Sequence, residues 1–75
     1  MKKQSYQILK YLQENGDSTA IQVGEALNIE KRRVDSCFTA AIMNAGLGIR
    51  DQSVSPSMLR LTEEGRAYHQ DEDDD

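Results

Sequence analysis

The apolar residues in the first part of this chain recur at the spacing of a helix. In the opening stretch they lie three and four positions apart, which places them on one helical face: Ile8, Leu9 and Leu12. Asn15-Gly16 follows this stretch, and both residue types readily adopt the backbone conformation that ends a helix. The pattern predicts a first helix over residues 2–14.

The next stretch predicts two helices joined by a tight turn. Thr19 and Gln22 have the Thr-x-x-Gln spacing of a capping box, which predicts a second helix over residues 19–27. Asn28 follows, and asparagine tolerates the left-handed conformation of a sharp turn. A third helix is predicted over about residues 30–44. Its inward stripe is expected to be Val34, Phe38, Ala41, Ile42 and Ala45.

Two short strands and a last helix are predicted after the third helix. Residues 47–51 and 58–61 are the candidate strands, and the sequence QSVSPS between them has the composition of a loop. Pro56, the single proline, falls in that loop, where it removes no ladder hydrogen bond. Thr62 is placed to cap a short helix with two glutamates in its first turn. Tyr68 is expected to pack on the first helix.

Two motifs resemble those of a known fold family. One is the spacing of small, turn and apolar residues at Gly24, Asn28, Ile29 and Val34, which resembles the helix-turn-helix of bacterial and phage DNA-binding proteins. The other is the run LTEEGR at 61–66, which resembles the exit from the wing of a winged-helix domain. The resemblance implies a winged helix-turn-helix domain over residues 1–70. Such a domain is mainly α with a small β-hairpin (α+β): three helices, a wing hairpin over 48–61 and a short C-terminal helix.

The resemblance also implies a function, that of a sequence-specific DNA-binding transcriptional regulator of small prokaryotic, phage or archaeal type. In this family the third helix enters the major groove of double-stranded DNA and the wing contacts the backbone. The residues then expected at the DNA are Lys31, Arg32, Arg33, Ser36, Thr39, Arg50 and Arg60. Because specific binding by such small domains usually needs two half-sites, a homodimer is one expected assembly.

The charge balance keeps a second function open. The net charge is -4, but five of the 13 acidic residues form the run at 71–75, which is predicted to be a disordered acidic tail. The remainder has a net charge of +1, which is less basic than is usual for a DNA-binding domain, and Asp35 falls within the third helix. The alternative is a protein–protein interaction module on the same scaffold, with a protein partner and little or no DNA binding.

Enzymatic chemistry finds no support in the sequence. His69 is the only histidine and Cys37 the only cysteine, and no nucleophile–base spacing, paired carboxylates or phosphate-binding glycine loop occurs. We therefore expect no catalytic residues, no metal and no cofactor, and we expect Cys37 to be a core residue. No apolar run is long enough to cross a membrane. Together with the lone cysteine, this predicts a cytoplasmic protein without a membrane partner.

Overall fold

The structure is a computed structural model that describes residues 1–69 of the 75. Within these residues, four helices, a π-helical segment and three strands follow one another along the chain. They are α1 (Lys3–Asn15), β1 (Ser18–Thr19), α2 (Ala20–Leu27), α3 (Lys31–Cys37), the π-helical segment (Phe38–Met43), β2 (Gly48–Asp51), β3 (Met58–Leu61) and α4 (Glu63–Ala67). The predicted α+β architecture with a wing hairpin is confirmed. The predicted acidic tail at 71–75 lies outside the described residues.

The boundaries of the first two helices follow from the local signals in the sequence. α1 ends at Gly16, whose φ of 82° lies in the range that favours glycine. The capping box at the start of α2 is formed as predicted. The amide of Gln22 donates to Thr19 Oγ1 at 3.1 Å, and the amide of Thr19 donates to Gln22 Oε1 at 2.9 Å. Asn28 ends α2 in the left-handed conformation, with φ 58° and ψ 48°.

Gly24 brings α2 close to the turn that follows it. The amide of Ile29 donates to the carbonyl of Gly24 at 2.8 Å. A Cβ atom on Gly24 would lie 2.5 Å from the carbonyl oxygen of Ile29. This distance is too short for a non-bonded contact, so no residue with a side chain fits here without a shift of the backbone. The glycine therefore permits the tight turn that sets the angle between α2 and α3.

The third helix differs from the prediction of one regular helix over 30–44. It begins at Lys31, with Glu30 as an N-cap whose side chain makes no capping hydrogen bond, and it becomes π-helical from Phe38 to Met43. The expected inward stripe is buried at Val34, Phe38 and Ile42, but Ala41 is half-buried and Ala45 is exposed.

The assignment of Ala45 to the core was therefore wrong, and the π-helical segment supplies the physical reason. A π turn holds more residues than an α turn, so it rotates the positions that follow away from an α-helical stripe. The helical segment also ends at Met43, before Ala45 is reached. Leu47 enters the core instead, and its amide donates to the carbonyl of Ile42 at 2.9 Å.

The strands form a three-stranded antiparallel sheet in the order β1-β3-β2. The β2–β3 hairpin pairs Gly48 with Leu61, and its loop contains Pro56 as predicted. β1 was not predicted, because a strand of two residues is too short to show any periodicity. Ser18 of β1 pairs with Leu59 of β3, which ties the entrance of α2 to the sheet.

The core lies between the helices and the inner face of the sheet. It is aliphatic apart from one aromatic ring, and its buried members are Ile8, Leu9, Leu12, Ala20, Val23, Val34, Phe38, Ile42, Leu47, Leu59 and Leu61. Cys37 is half-buried and packs against this core. Within residues 1–69, no helix is long and apolar enough to cross a membrane.

The end of the described chain packs on α1, as predicted for Tyr68. The ring centroids of Tyr68 and Tyr6 lie 6.1 Å apart in an edge-to-face arrangement. The side-chain amide of Gln13 donates to the carbonyls of Gly65 and Tyr68, both at 2.9 Å. These contacts hold α4 against α1.

Candidate nucleic-acid interface

The outer face of α3 carries two arginines that form no ion pair with a carboxylate of residues 1–69. Arg32, Arg33 and Ser36 are exposed, and none of them makes an ion pair or a side-chain hydrogen bond with another of residues 1–69. They line a shallow groove of about 490 Å³ together with Gln4 of α1 and with residues 28–30 of the turn. Positive charge and hydrogen-bond donors are therefore available to a ligand at this surface.

Three other predicted site residues form a charged cluster around Asp35. Lys31 Nζ lies 2.8 Å from Asp35 Oδ2, one helical turn away on α3. Arg50 on β2 donates to Asp35 Oδ1 at 2.9 Å and to Thr39 Oγ1 at 3.2 Å. The guanidinium carbon of Arg50 also lies 5.8 Å from the centroid of the Phe38 ring. Arg50 therefore joins the wing hairpin to the third helix.

The electrostatics of this cluster keep Asp35 ionised. Partial burial of the carboxyl group opposes ionisation, but the hydrogen bonds from Lys31 and Arg50 and the charges of these two residues outweigh it. The pKa of Asp35 consequently lies below its ordinary value of 3.8. The side chain of Arg50 is only 19% exposed, whereas that of Lys31 is 58% exposed.

Arg60 lies apart from the α3 surface, on the outer face of the sheet opposite Ile49. Its Nε atom lies 3.0 Å from Asp17 Oδ2, and its Nη1 atom lies 3.3 Å from Asp51 Oδ2. The pKa of Asp51 is lowered, first by hydrogen bonds from the hydroxyl and amide of Ser53 and then by Arg60. Arg60 therefore links two segments on either side of β3. One is Asp17, just before β1 and α2, and the other is Asp51, the last residue of β2 before the wing loop.

The structure thus divides the seven predicted site residues into three groups. Arg32, Arg33 and Ser36 share the groove, whereas Lys31, Thr39 and Arg50 lie around Asp35. Arg60 belongs to neither group and pairs with Asp17 and Asp51 on the outer sheet face. The sequence did not identify Asp35 as the partner of Arg50 or Asp17 as the partner of Arg60. The one ion pair of Asp35 with a local signal is that with Lys31, because the two residues are four apart on a helix.

Gln4 is a further member of the groove that the sequence did not identify. It is distant from α3 along the chain, so no spacing rule connects the two. Within the described residues, no group of three or more histidine, cysteine, aspartate or glutamate side chains could hold a metal ion.

Comparison with solved structures places this geometry among known folds. Reduced AbfR bound to DNA matches with a TM-score of 0.78 and 20% identity, covering 89% of this chain and 50% of that one. Overoxidized AbfR bound to DNA matches with a TM-score of 0.78, 20% identity and coverages of 89% and 51%. NadR in complex with 4-hydroxyphenylacetate matches with a TM-score of 0.75, 26% identity and coverages of 89% and 48%.

Other comparisons with known proteins add no relative. No family model matches the sequence, and no curated protein matches it significantly. The chain spans about half the length of the structures it resembles. The likeness covers 89% of this chain, whose helices, sheet and hairpin have the order of that fold, so the chain has the winged helix-turn-helix fold.

Proposed function

We propose that this chain is a sequence-specific DNA-binding transcriptional regulator. The third helix, residues 30–44, would lie in the major groove of double-stranded DNA, and the wing at 48–61 would follow the backbone. The observation that carries the proposal is the pair of exposed guanidinium groups of Arg32 and Arg33 on the outer face of α3, neither of which forms an ion pair within residues 1–69. Two solved structures of the same fold, both of AbfR, are bound to DNA.

In this proposal, some residues on α3 contact base edges and so read the DNA sequence, and others contact phosphate and so position the helix. Arg32 and Arg33 are suited to guanine O6 and N7 or to phosphate, and Ser36 is suited to a base edge or phosphate. Asp35 does not oppose DNA as an isolated carboxylate would, since Lys31 and Arg50 offset its charge. Lys31 and Thr39 belong to the cluster that Asp35 and Arg50 form.

The two wing arginines have a double role in the proposal. Each uses part of its guanidinium group to hold the hairpin, Arg50 against α3 and Arg60 against Asp17 and Asp51. A guanidinium has five N–H donors, so donors remain for the DNA backbone after these contacts. Serine hydroxyls of the wing loop can add neutral donors to the same backbone.

The alternative of a protein–protein interaction module requires an apolar contact surface in place of a cationic one. The exposed large apolar side chains of residues 1–69 are Ile21, Ile49 and Val54. They lie on α2, β2 and the wing loop, and none lies on the groove beside Arg32 and Arg33. Scattered exposed apolar residues are ordinary on a protein surface, so the observations favour DNA over a protein partner.

The proposal extends to assembly and location. Two copies on one site would double the number of base contacts, so we propose a homodimer on half-sites spaced by about one helical turn. Sedimentation of the protein with a defined duplex measures this, and one copy per duplex at saturation would contradict it. The proposed activity needs neither catalysis nor a cofactor. We also propose that the protein acts in the cytoplasm.

A salt-titrated binding assay on random-sequence duplex DNA tests the proposal. Wild type should bind at low salt, with log K falling linearly as log salt concentration rises. Arg32→Ala/Arg33→Ala should weaken binding by about tenfold or more at low salt and should flatten the slope by about 0.9 for each lost phosphate contact.

The matched control is Lys10→Ala/Arg66→Ala, which removes two positive charges from α1 and α4 at positions that do not line the groove. Its salt slope should stay close to that of wild type. Absence of binding by wild type at low salt would overturn the proposal and leave the interaction module as the function.

A further inference from the structure

Within residues 1–69, the arginines of α3 that form no ion pair face α1 and not the wing. On the wing side, Lys31 and Arg50 are paired with Asp35. On the other side, Arg32 and Arg33 line the groove to which Gln4 of α1 also contributes. The wing offers little further charge, because the segment between Asp51 and Ser57 contains no lysine or arginine. The basic surface should therefore be traced from α3 towards α1.

The first turn of α1 continues that surface. Lys2 is the N-cap residue of α1 and Lys3 its first helical residue, so both belong to the same turn as Gln4. Both lysines are exposed, and neither forms an ion pair with another of residues 1–69. Two lysines thus stand at the end of α1 that meets the groove of Arg32 and Arg33.

The groove itself has the donors that a phosphate diester requires. The side-chain amide of Gln4 and the hydroxyl of Ser36 make no hydrogen bond within the described chain. They line one concave surface with the guanidinium groups of Arg32 and Arg33, and one carboxylate, that of Glu30, also lines it. Two cations against one anion, with neutral donors beside them, favour an anionic occupant.

We propose that the groove between α1 and α3 binds a phosphate of the DNA backbone, and that Lys2 and Lys3 contact the adjoining phosphates. This inference rests on the proposed DNA-binding function and deepens it. The first turn of α1 becomes a second backbone contact, on the opposite side of the third helix from the wing. The helix is then held in the major groove from both sides, by the hairpin and by α1.

The salt dependence of DNA binding distinguishes the proposed contact of Lys2 and Lys3 from the DNA contacts of α3. The variant Lys2→Ala/Lys3→Ala is compared with Lys10→Ala/Arg66→Ala, which has the same net charge. Both are titrated against one duplex, with Arg32→Ala/Arg33→Ala as the reference for loss of the α3 contact. The first variant should reduce the slope of log K against log salt by about 0.9 to 1.8, whereas the control should leave it unchanged.

A second pair of variants tests the groove without removing a lysine. Gln4→Glu places a carboxylate beside Arg32 and Arg33, and Gln7→Glu makes the same change in charge on an exposed position one turn further along α1. Gln4→Glu should weaken DNA binding at least fivefold more than Gln7→Glu at low salt. Thermal unfolding of both variants checks that the fold is intact.

The outcomes of these experiments distinguish failure of the α1 contact from failure of the proposed DNA-binding function. Failure of wild type to bind DNA would overturn the DNA-binding function and this proposal with it. If wild type binds and Arg32→Ala/Arg33→Ala weakens binding, the function stands. In that case, equal slopes for Lys2→Ala/Lys3→Ala and its control, or equal affinities for the two glutamine variants, would overturn the α1 contact alone.

Discussion

At the scale of single residues, Asp35 shows how a carboxylate can occupy a helix that we propose to face DNA. An isolated negative charge there would repel phosphate. Asp35 instead accepts hydrogen bonds from Lys31 on its own helix and from Arg50 on β2, so its charge is offset from both sides. The residue therefore connects two elements and leaves the cationic character of the neighbouring groove intact.

The lowered pKa of Asp35 predicts how its contribution depends on pH. Because the folded-state pKa lies below 3.8, the ion pairs add stability at pH values above 3.8, and this stability is lost as the pH falls through the folded-state pKa. Asp35→Asn should lower the free energy of unfolding at pH 7 by about 1 kcal/mol or less, as is usual for partly exposed ion pairs. The difference from wild type should shrink as the pH falls below 3.8.

Urea unfolding at pH 7, 5, 3 and 2 measures this difference. Glu25→Gln is the control, since Glu25 is exposed and makes no ion pair within residues 1–69. A gap between Asp35→Asn and wild type that stays constant across the pH range would contradict the assigned role.

At the scale of secondary-structure elements, α4 is fixed by a close approach to the exit of the π-helical segment. The amide of Thr62 donates to the carbonyl of Leu47 at 3.0 Å, and Thr62 Oγ1 donates to the carbonyl of Gly46 at 2.9 Å. Gly65 then lies directly against Leu47. A Cβ atom on Gly65 would be 1.9 Å from the carbonyl oxygen of Leu47, and a backbone atom cannot move aside as a flexible side chain can.

Gly65→Ala should accordingly destabilise the domain by about 3 kcal/mol or more, because α4 must shift away from Leu47 and from the core. Glu64→Ala, at an exposed position in the same short helix, should change stability by less than about 0.5 kcal/mol. Chemical denaturation followed by circular dichroism compares the two. Equal stability of the two variants would show that α4 does not depend on the close approach.

At the scale of the whole molecule, charge is divided between the domain and the end of the chain. Residues 1–70 carry a net charge of +1, while the last five residues are all acidic. Attraction between the acidic run and the basic surface would compete with phosphate, and salt would screen it over a distance of about 10 Å at 0.1 M ionic strength.

Deletion of residues 71–75 should therefore raise the affinity for duplex DNA most at low salt, and the two affinities should converge as salt concentration increases. A second variant replaces the same five residues with Asn and Gln, which separates the effect of charge from that of length. Unchanged affinity at low salt in both variants would show that the acidic run does not compete with DNA.

Most of what the sequence determined about this protein is local. The stop at Gly16, the Thr19–Gln22 capping box and the left-handed turn at Asn28 depend on residues within one helical turn of one another. The order of helices and the wing hairpin followed from the same short-range signals, and the motif resemblance joined them into the winged fold.

Only the tertiary structure decided which lysine and arginine side chains of residues 1–69 are paired with carboxylates and which remain available to a ligand. Arg50 finds Asp35 across the gap between β2 and α3, and Arg60 finds Asp17 at the far edge of the sheet, so no spacing along the chain could indicate either pair. The same holds for β1 and for Gln4 beside Arg32 and Arg33, since chain packing brings them together. The candidate residues were visible in the sequence, but their division into paired and unpaired cations depends on three-dimensional proximity.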